Sequence, residues 1–251
     1  MQRPVLYMGD GRLKGAAAYL AGVLHGAKIG CDHVESAIPV RDPYLFADRG
    51  AVILSDYPAA GLGAKAAAAL LSAVQNGCGL LMVGGWASFR GQNGLWDKSP
   101  VREALPVHIA AKDDRINCGQ GALVRRAPQA MYPLLSGLPW ESEPPMIGGF
   151  CKVRARRGAR VLLEAVRYRF ETDEGFLSSQ ERDVHPLLVA GMYGNGRSAA
   201  LTTDVAPHWV GPLIDWGSRR LRLQAPGANP VEVGSHYAKF LEKLVRWTAR
   251  L

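Results

Sequence analysis

A mostly parallel α/β sheet covered by helices is the fold class this sequence predicts, and three observations carry the prediction. Short apolar runs alternate with helical patterns through the first third of the chain. Each run stops at a small or acidic residue, where a strand would leave the sheet. The chain has 251 residues, 48% hydrophobic and 21% charged, enough for one large core and far from the composition of a disordered chain. One domain over residues 1–251 is expected.

The elements follow in order. Residues 4–8 (PVLYM) read as a buried strand closed by Gly9-Asp10-Gly11, and residues 15–27 as a helix rich in Ala and Leu. Residues 31–35 are a weaker strand. Residues 51–54 (AVIL) are a buried strand ending in Ser55-Asp56; residues 64–74 are a helix with Gly77 as its terminator. Residues 79–83 (GLLMV) form the next strand, ending in Gly84-Gly85-Trp86. Strand–helix–strand units at this spacing require right-handed crossovers and a parallel sheet.

Residues 107–186 differ. Short β-like runs (122–124, 151–153, 161–165) lie between turns, and residues 139–149 hold three prolines and two glycines, which predicts a surface loop. This stretch is expected to be an irregular β-rich elaboration of the main sheet. Core pattern then resumes: residues 187–192, a turn at Tyr193-Gly194-Asn195-Gly196 and residues 198–202 form a hairpin. Residues 236–251 are an amphipathic helix, with Phe240, Leu241, Leu244, Val245 and Trp247 on one face.

Composition narrows the partners. The net charge is +8, and nine Lys or Arg against three Glu fall within residues 123–170. A basic face attracts nucleic acid, acidic lipid or anionic metabolites. No basic motif interleaved with aromatics and no zinc-finger spacing accompanies it, so it reads as a solvated face and nucleic acid is not the expected partner. Cys31, Cys78, Cys118 and Cys151 are widely spaced, without a CxxC pair, so neither a metal or redox centre nor a disulfide scaffold is expected. No apolar run reaches the roughly 18 residues of a membrane span. Residues 1–8 are too short for a signal peptide, which makes the cytoplasm the expected compartment and a membrane no partner. No cofactor motif is present, and self-association stays open.

In open parallel sheets, ligands bind beyond the carboxyl ends of the strands. That rule selects Gly9-Asp10-Gly11, Ser55-Asp56-Tyr57, Gly84-Gly85-Trp86-Ala87-Ser88, and Thr203-Asp204 with Pro207-His208-Trp209. Asp10, Ser55, Asp56, Gly84, Gly85, Trp86, Ser88 and Trp209 are the candidate ligand-binding residues. Gly84-Gly85 would let the backbone approach a ligand without a Cβ in the way. His208 has the titration range of a general base, and Asp204, four residues earlier, is placed to orient it. These two are the candidate catalytic residues; a capping Asp and a structural His are the plainer reading of the same pair. Asp10, Asp56, Asp204 and His208 lack any metal-ligand spacing motif, so no metal is expected.

The ordered set of AVILSD (51–56), GCGLLMVGGWASF (77–89) and LPV (105–107), then GNGR (194–197), Thr203-Asp204 and PHW (207–209), resembles the glutamine amidotransferase-like proteins related to the trehalose-utilisation (ThuA-like) type. The resemblance spans most of the chain, loosely over residues 107–186. It implies a flavodoxin-like three-layer sandwich of the class I glutamine amidotransferase kind. Working members of that class carry a cysteine at the turn after a strand, within Gly-x-Cys-x-Gly, and a later His-x-Glu pair. Here Gly84 stands at the turn, Cys78 lies at the far end of the strand, and Val210 follows His208 two places on. Glutamine hydrolysis by a thiolate is therefore not expected.

Two readings follow. One is an enzyme with changed chemistry, a hydrolase or isomerase of a small polar metabolite, with His208 activating water or a hydroxyl. The other is a non-catalytic ligand sensor or assembly protein on the same scaffold. In either, Asp10, Ser55, Asp56, Gly84, Ser88, Asp204 and His208 are expected to line one pocket.

Overall fold

A computed structural model describes residues 3–128, 130–173 and 176–251. The chain runs β1 (Val5–Gly9), α1 (Ala17–Gly26), β2 (Cys31–Val34), β3 (Ala51–Ser55), α2 (Ala64–Gln75), β4 (Gly79–Val83), β5 (Val107–His108) and β6 (Arg115–Arg126). It continues with β7 (Met146–Cys151), β8 (Arg154–Ala155), β9 (Arg160–Asp173), β10 (Phe176–Tyr193), β11 (Gly196–Leu201), β12 (Arg220–Leu223), β13 (Val231–Gly234) and α3 (Ser235–Ala249).

The main sheet has nine strands in the order β2-β1-β3-β4-β11-β10-β9-β6-β7. Its first five are parallel neighbours: β1 pairs with β2 and β3, β3 with β4, and β4 with β11. This half is the mostly parallel α/β sheet expected from the alternating pattern. Residues of β1, β3 and β4 are buried on both faces, as a sheet covered on both sides requires. Val5, Tyr7, Ile53 and Leu81 pack into one apolar layer with α1 and α3. Leu6, Val52, Leu80 and Met82 pack into the other with α2. The period-two alternation of the strands therefore builds both halves of the core.

The middle region is a β-rich elaboration of the main sheet, built of longer strands than the short runs of the sequence suggest. β10 pairs antiparallel with β11 and with β9, β9 with β6, and β6 with β7, so β6, β7, β9 and β10 extend the same sheet by four strands, with register shifts in the β9–β10 and β6–β7 pairings. Polar residues on both faces of these long strands hid the two-residue period. Residues 139–149 likewise are not simply a surface loop: Trp140 is buried against Trp216 and Phe240, and β7 begins at Met146. The prolines end before that strand, where a missing N–H does not break the ladder.

Among the described residues, no helix is long and apolar enough to cross a membrane.

Candidate functional site

The carboxyl ends of β1, β3 and β4 and the segment after β11 meet at one edge of the sheet. A cavity of about 800 Å³ opens there, lined by Asp10, Gly11, Arg12, Lys14, Gly15, Ala16, Ser36, Asp56, Trp86, Ala87, Asp204, Ala206, Pro207 and His208. Its size suits a small metabolite.

Asp10, Asp56 and His208 have positive backbone φ angles of 51°, 46° and 131°. The two aspartates lie in the left-handed region that short polar side chains tolerate; His208 lies beyond it, a conformation costing on the order of 1–3 kcal/mol. Three such residues around one cavity mark it as a place where geometry is held at the expense of local comfort.

The carboxyl groups set the electrostatics. Asp10 is buried at the cavity floor, and its carboxylate accepts a hydrogen bond from the phenol of the buried Tyr7. Burial, then the charge of Asp56, pushes the Asp10 carboxyl from 3.8 up to about 7. Burial, followed by the charges of Asp10 and Asp56, holds Asp204 well above the usual range. Burial raises Asp56 too, opposed by the Ala87 N–H, which donates to its Oδ1 at 2.8 Å, by the Ser88 hydroxyl and by the charge of His208. Three acids crowded in a low-dielectric site cannot all ionise together, so their proton affinities separate.

The loops are tied to one another around these acids. The Ser36 hydroxyl accepts from the Gly11 N–H at 2.9 Å and donates to the Asp56 carbonyl at 2.8 Å. Trp86, 45% exposed, meets the His208 ring edge-on at 5.7 Å between centroids, and the Arg115 guanidinium lies 4.7 Å from the centre of its ring. Arg12 and Lys14 supply positive charge at the rim, Arg12 sharing an ion pair at 3.5 Å with Glu35.

Of the candidate site residues, Asp10, Asp56, Trp86, Asp204 and His208 line the cavity. Ser55, Gly84, Gly85, Ser88 and Trp209 do not. Ser55 is fully buried beneath it. The Ser88 hydroxyl accepts from the Asp56 N–H at 3.0 Å and so holds the loop rather than a ligand. Trp209 is buried, donating its indole N–H to Asn117 Oδ1 at 2.7 Å.

The two glycines have different tasks. The Gly84 N–H donates to the carbonyls of Leu201 at 2.7 Å and Thr203 at 3.0 Å, and a Cβ there would stand 1.9 Å from the Thr202 carbonyl oxygen. Gly84 permits strand-to-strand packing, not ligand approach. Gly85 has φ +153°, and a Cβ on it would fall 2.2 Å from Asp56 Oδ1. Its bareness makes room for the Asp56 carboxylate.

The expected Asp204–His208 pair is also absent from this geometry. Asp204 Oδ1 accepts from the amides of Val205 at 2.6 Å and Ala206 at 3.0 Å, and no hydrogen bond among the described residues joins it to His208. His208 instead acts on Asp56, from a different loop, favouring the ionised form of that carboxyl.

None of the four cysteines lines the cavity. Burial pushes the thiols of Cys31 and Cys78 up to about 12 and about 11. Cys118 lies in β6 rather than in a polar loop. Cys151 comes nearest to the turn after β4, its thiol donating to the Gly85 carbonyl at 3.6 Å, but it is buried and held well above its ordinary value by desolvation, then by Asp114. Among the described residues, no three His, Cys, Asp or Glu are grouped so as to hold a metal ion.

Tyr7, Ser36, Arg12 and Lys14 were not singled out in the sequence. Tyr7 hides in an apolar strand run, and Ser36 reaches the site only through pairing of β2 with β1.

Residues 64–223 match a family model described as "Putative glutamine amidotransferase". A search of curated protein sequences gives no significant match. Among solved structures, a cytoplasmic protein of Salmonella typhimurium shares 19% identity with a TM-score of 0.75, over 98% of both chains. A second cytoplasmic protein, from Salmonella typhimurium LT2, shares 22% with a TM-score of 0.74, over 98% of this chain and 99% of its own. A ThuA-like protein of Parabacteroides merdae shares 16% with a TM-score of 0.60, over 99% of this chain and 90% of its own. At these identities the likeness is one of fold. Asp10 and Asp56 precede the segment that the family model matches.

Proposed function

The chain belongs to the glutamine amidotransferase-like family, and on that premise we propose that its cavity binds a small hydroxyl-bearing metabolite and moves protons on it with carboxyl groups rather than hydrolysing glutamine with a thiolate. The single observation that carries this reading is the convergence of Asp10, Asp56 and Asp204 on one cavity that no cysteine lines.

The chemistry follows from the spread of proton affinities. Asp204, held well above the usual carboxylate range by burial and then by the charges of Asp10 and Asp56, serves as the acid. Asp56, raised by burial but with its anion favoured by the Ala87 amide, the Ser88 hydroxyl and His208, serves as the base. Asp10, near 7, exchanges its proton within the working range. An acid and a base set apart by environment are what hydrolysis or isomerisation of a hydroxylated substrate needs. Substrate hydroxyls donate to Asp56, and the exposed Trp86 ring offers an apolar wall to the carbon skeleton.

A sensor without turnover is the second reading. It draws on Asp204 being occupied with its own following amides and on His208 having no hydrogen-bonded acid among the described residues. One experiment separates the two. The protein and its Asp56→Asn variant are incubated with a panel of sugars, polyols and hydroxy acids, followed by proton NMR for both line broadening and product. Turnover abolished in the variant supports the enzyme; saturable binding without product, weakened in the variant, supports the sensor. No binding and no product, or effects that Asp56→Asn leaves unchanged, would overturn the assignment of the cavity.

A further inference from the structure

The excess positive charge of residues 123–170 resolves, in three dimensions, into two populations. Arg125 pairs with Glu164 and Glu181, Arg126 with Glu141, Arg156 with Glu103, Arg167 with Asp183 and Arg169 with Glu171. Lys152, Arg154, Arg157 and Arg160 form no ion pair among the described residues, and all four belong to β8, its flanks or the turn into β9.

Arg157 and Arg160 share a second cavity of about 390 Å³ with Arg156, Glu103, Tyr132 and Met192. It lies at the opposite edge of the sheet from the acidic cavity: Ala190 to Met192 end β10 beside the start of β11, whereas the first site lies beyond the ends of the parallel strands. Its wall is already braced. The Arg156 guanidinium donates to the carbonyls of Arg102 at 3.1 Å and Val107 at 3.3 Å and meets Glu103 at 3.5 Å. Arg156 and Glu103 therefore cancel, and the two exposed guanidiniums of Arg157 and Arg160 leave the cavity with an uncompensated double positive charge. The rest of the lining includes Leu105, Pro106 and the side of Tyr132, so the cavity is apolar on one side and cationic on the other.

We propose that this second cavity binds an organic phosphate: a dianionic head held by Arg157 and Arg160, with an apolar or aromatic body against Tyr132, Met192 and Pro106. Two guanidiniums present paired N–H donors matched to phosphate oxygens, which ordinary solvated lysines do not. The proposal is independent of the chemistry assigned to the acidic cavity.

Titration calorimetry on the full chain at physiological salt tests it, with phenyl phosphate and inorganic phosphate as probes. Phenyl phosphate is expected to bind at one site, more tightly than inorganic phosphate. The double variant Arg157→Ala/Arg160→Ala should weaken it at least about tenfold, the loss of charge-assisted hydrogen bonds to an anion. Lys65→Ala, on the exposed face of α2, should leave it unchanged. Both arginines are exposed, so thermal melts should show the double variant folded. Absence of binding, equal affinity for the two probes, undiminished binding in the double variant, or loss of binding in Arg12→Ala instead would each overturn the proposal.

Discussion

Replacing Asp10 by Asn should make the protein more stable at neutral and alkaline pH, the reverse of what loss of a buried, hydrogen-bonded residue ordinarily does. In the folded chain the Asp10 carboxyl is raised from 3.8 to about 7, chiefly by burial and then by Asp56. The folded state therefore holds this proton more tightly than the unfolded state. The stability associated with it is fully present below about 3.8 and is lost as the pH rises to about 7. At about 1.4 kcal/mol per pH unit, the interval between those values comes to about 4 kcal/mol of strain in the ionised folded protein above neutrality. Asparagine cannot ionise, its oxygen still accepts from the Tyr7 phenol, and it tolerates the left-handed φ of 51°. In a chain of this length the gain corresponds to a rise in Tm on the order of 10 °C. Thermal melts of both proteins from pH 4 to pH 8 would measure it. The difference should grow with pH and level off above 7; parallel curves, or a variant less stable at pH 8, would refute the reasoning. A gain of this kind is the signature of a residue kept for function rather than for folding.

Three other outcomes follow from the geometry. Gly84→Ala should destabilise the fold by several kcal/mol in denaturant titration, since its Cβ meets the Thr202 carbonyl oxygen at 1.9 Å, whereas Gly85→Ala should act first on the site by displacing the Asp56 carboxylate. The purified protein should release no ammonia from glutamine above background in a coupled dehydrogenase assay, and a thiol alkylating agent should label neither Cys78 nor Cys151 in the folded state, because both are buried with raised thiols. Any affinity for nucleic acid, measured by fluorescence anisotropy, should collapse between about 50 and 200 mM salt without sequence preference, the behaviour of simple phosphate attraction.

Much of the parallel half was legible because its signals are local. Residues 51–54 and 79–83 are apolar runs ended by small or acidic residues, and they became β3 and β4 with one residue's difference at most. The antiparallel half was less legible: β9 and β10 carry charged residues on both faces, so their pairing rather than their pattern defines them. The same contrast holds at the site. Asp10, Asp56, Asp204 and His208 could be selected from the rule that ligands gather beyond strand ends, and they do line one cavity. Their relationships could not be selected. His208 and Asp204 are four residues apart, yet the carboxyl group on which His208 acts is Asp56 from another loop.

The sequence alone therefore determined the strands of the parallel half, the helices and the edge of the sheet at which polar residues collect, because burial pattern and turn chemistry act over a few residues. Only the tertiary structure decided which acid lies beside which, that Gly84 serves packing while Gly85 makes room for a carboxylate, and that Arg157 and Arg160 share a second cavity. Those outcomes depend on distances across the sheet and on burial, which raise or lower a proton affinity through the whole surroundings of a group rather than through its neighbours in the chain.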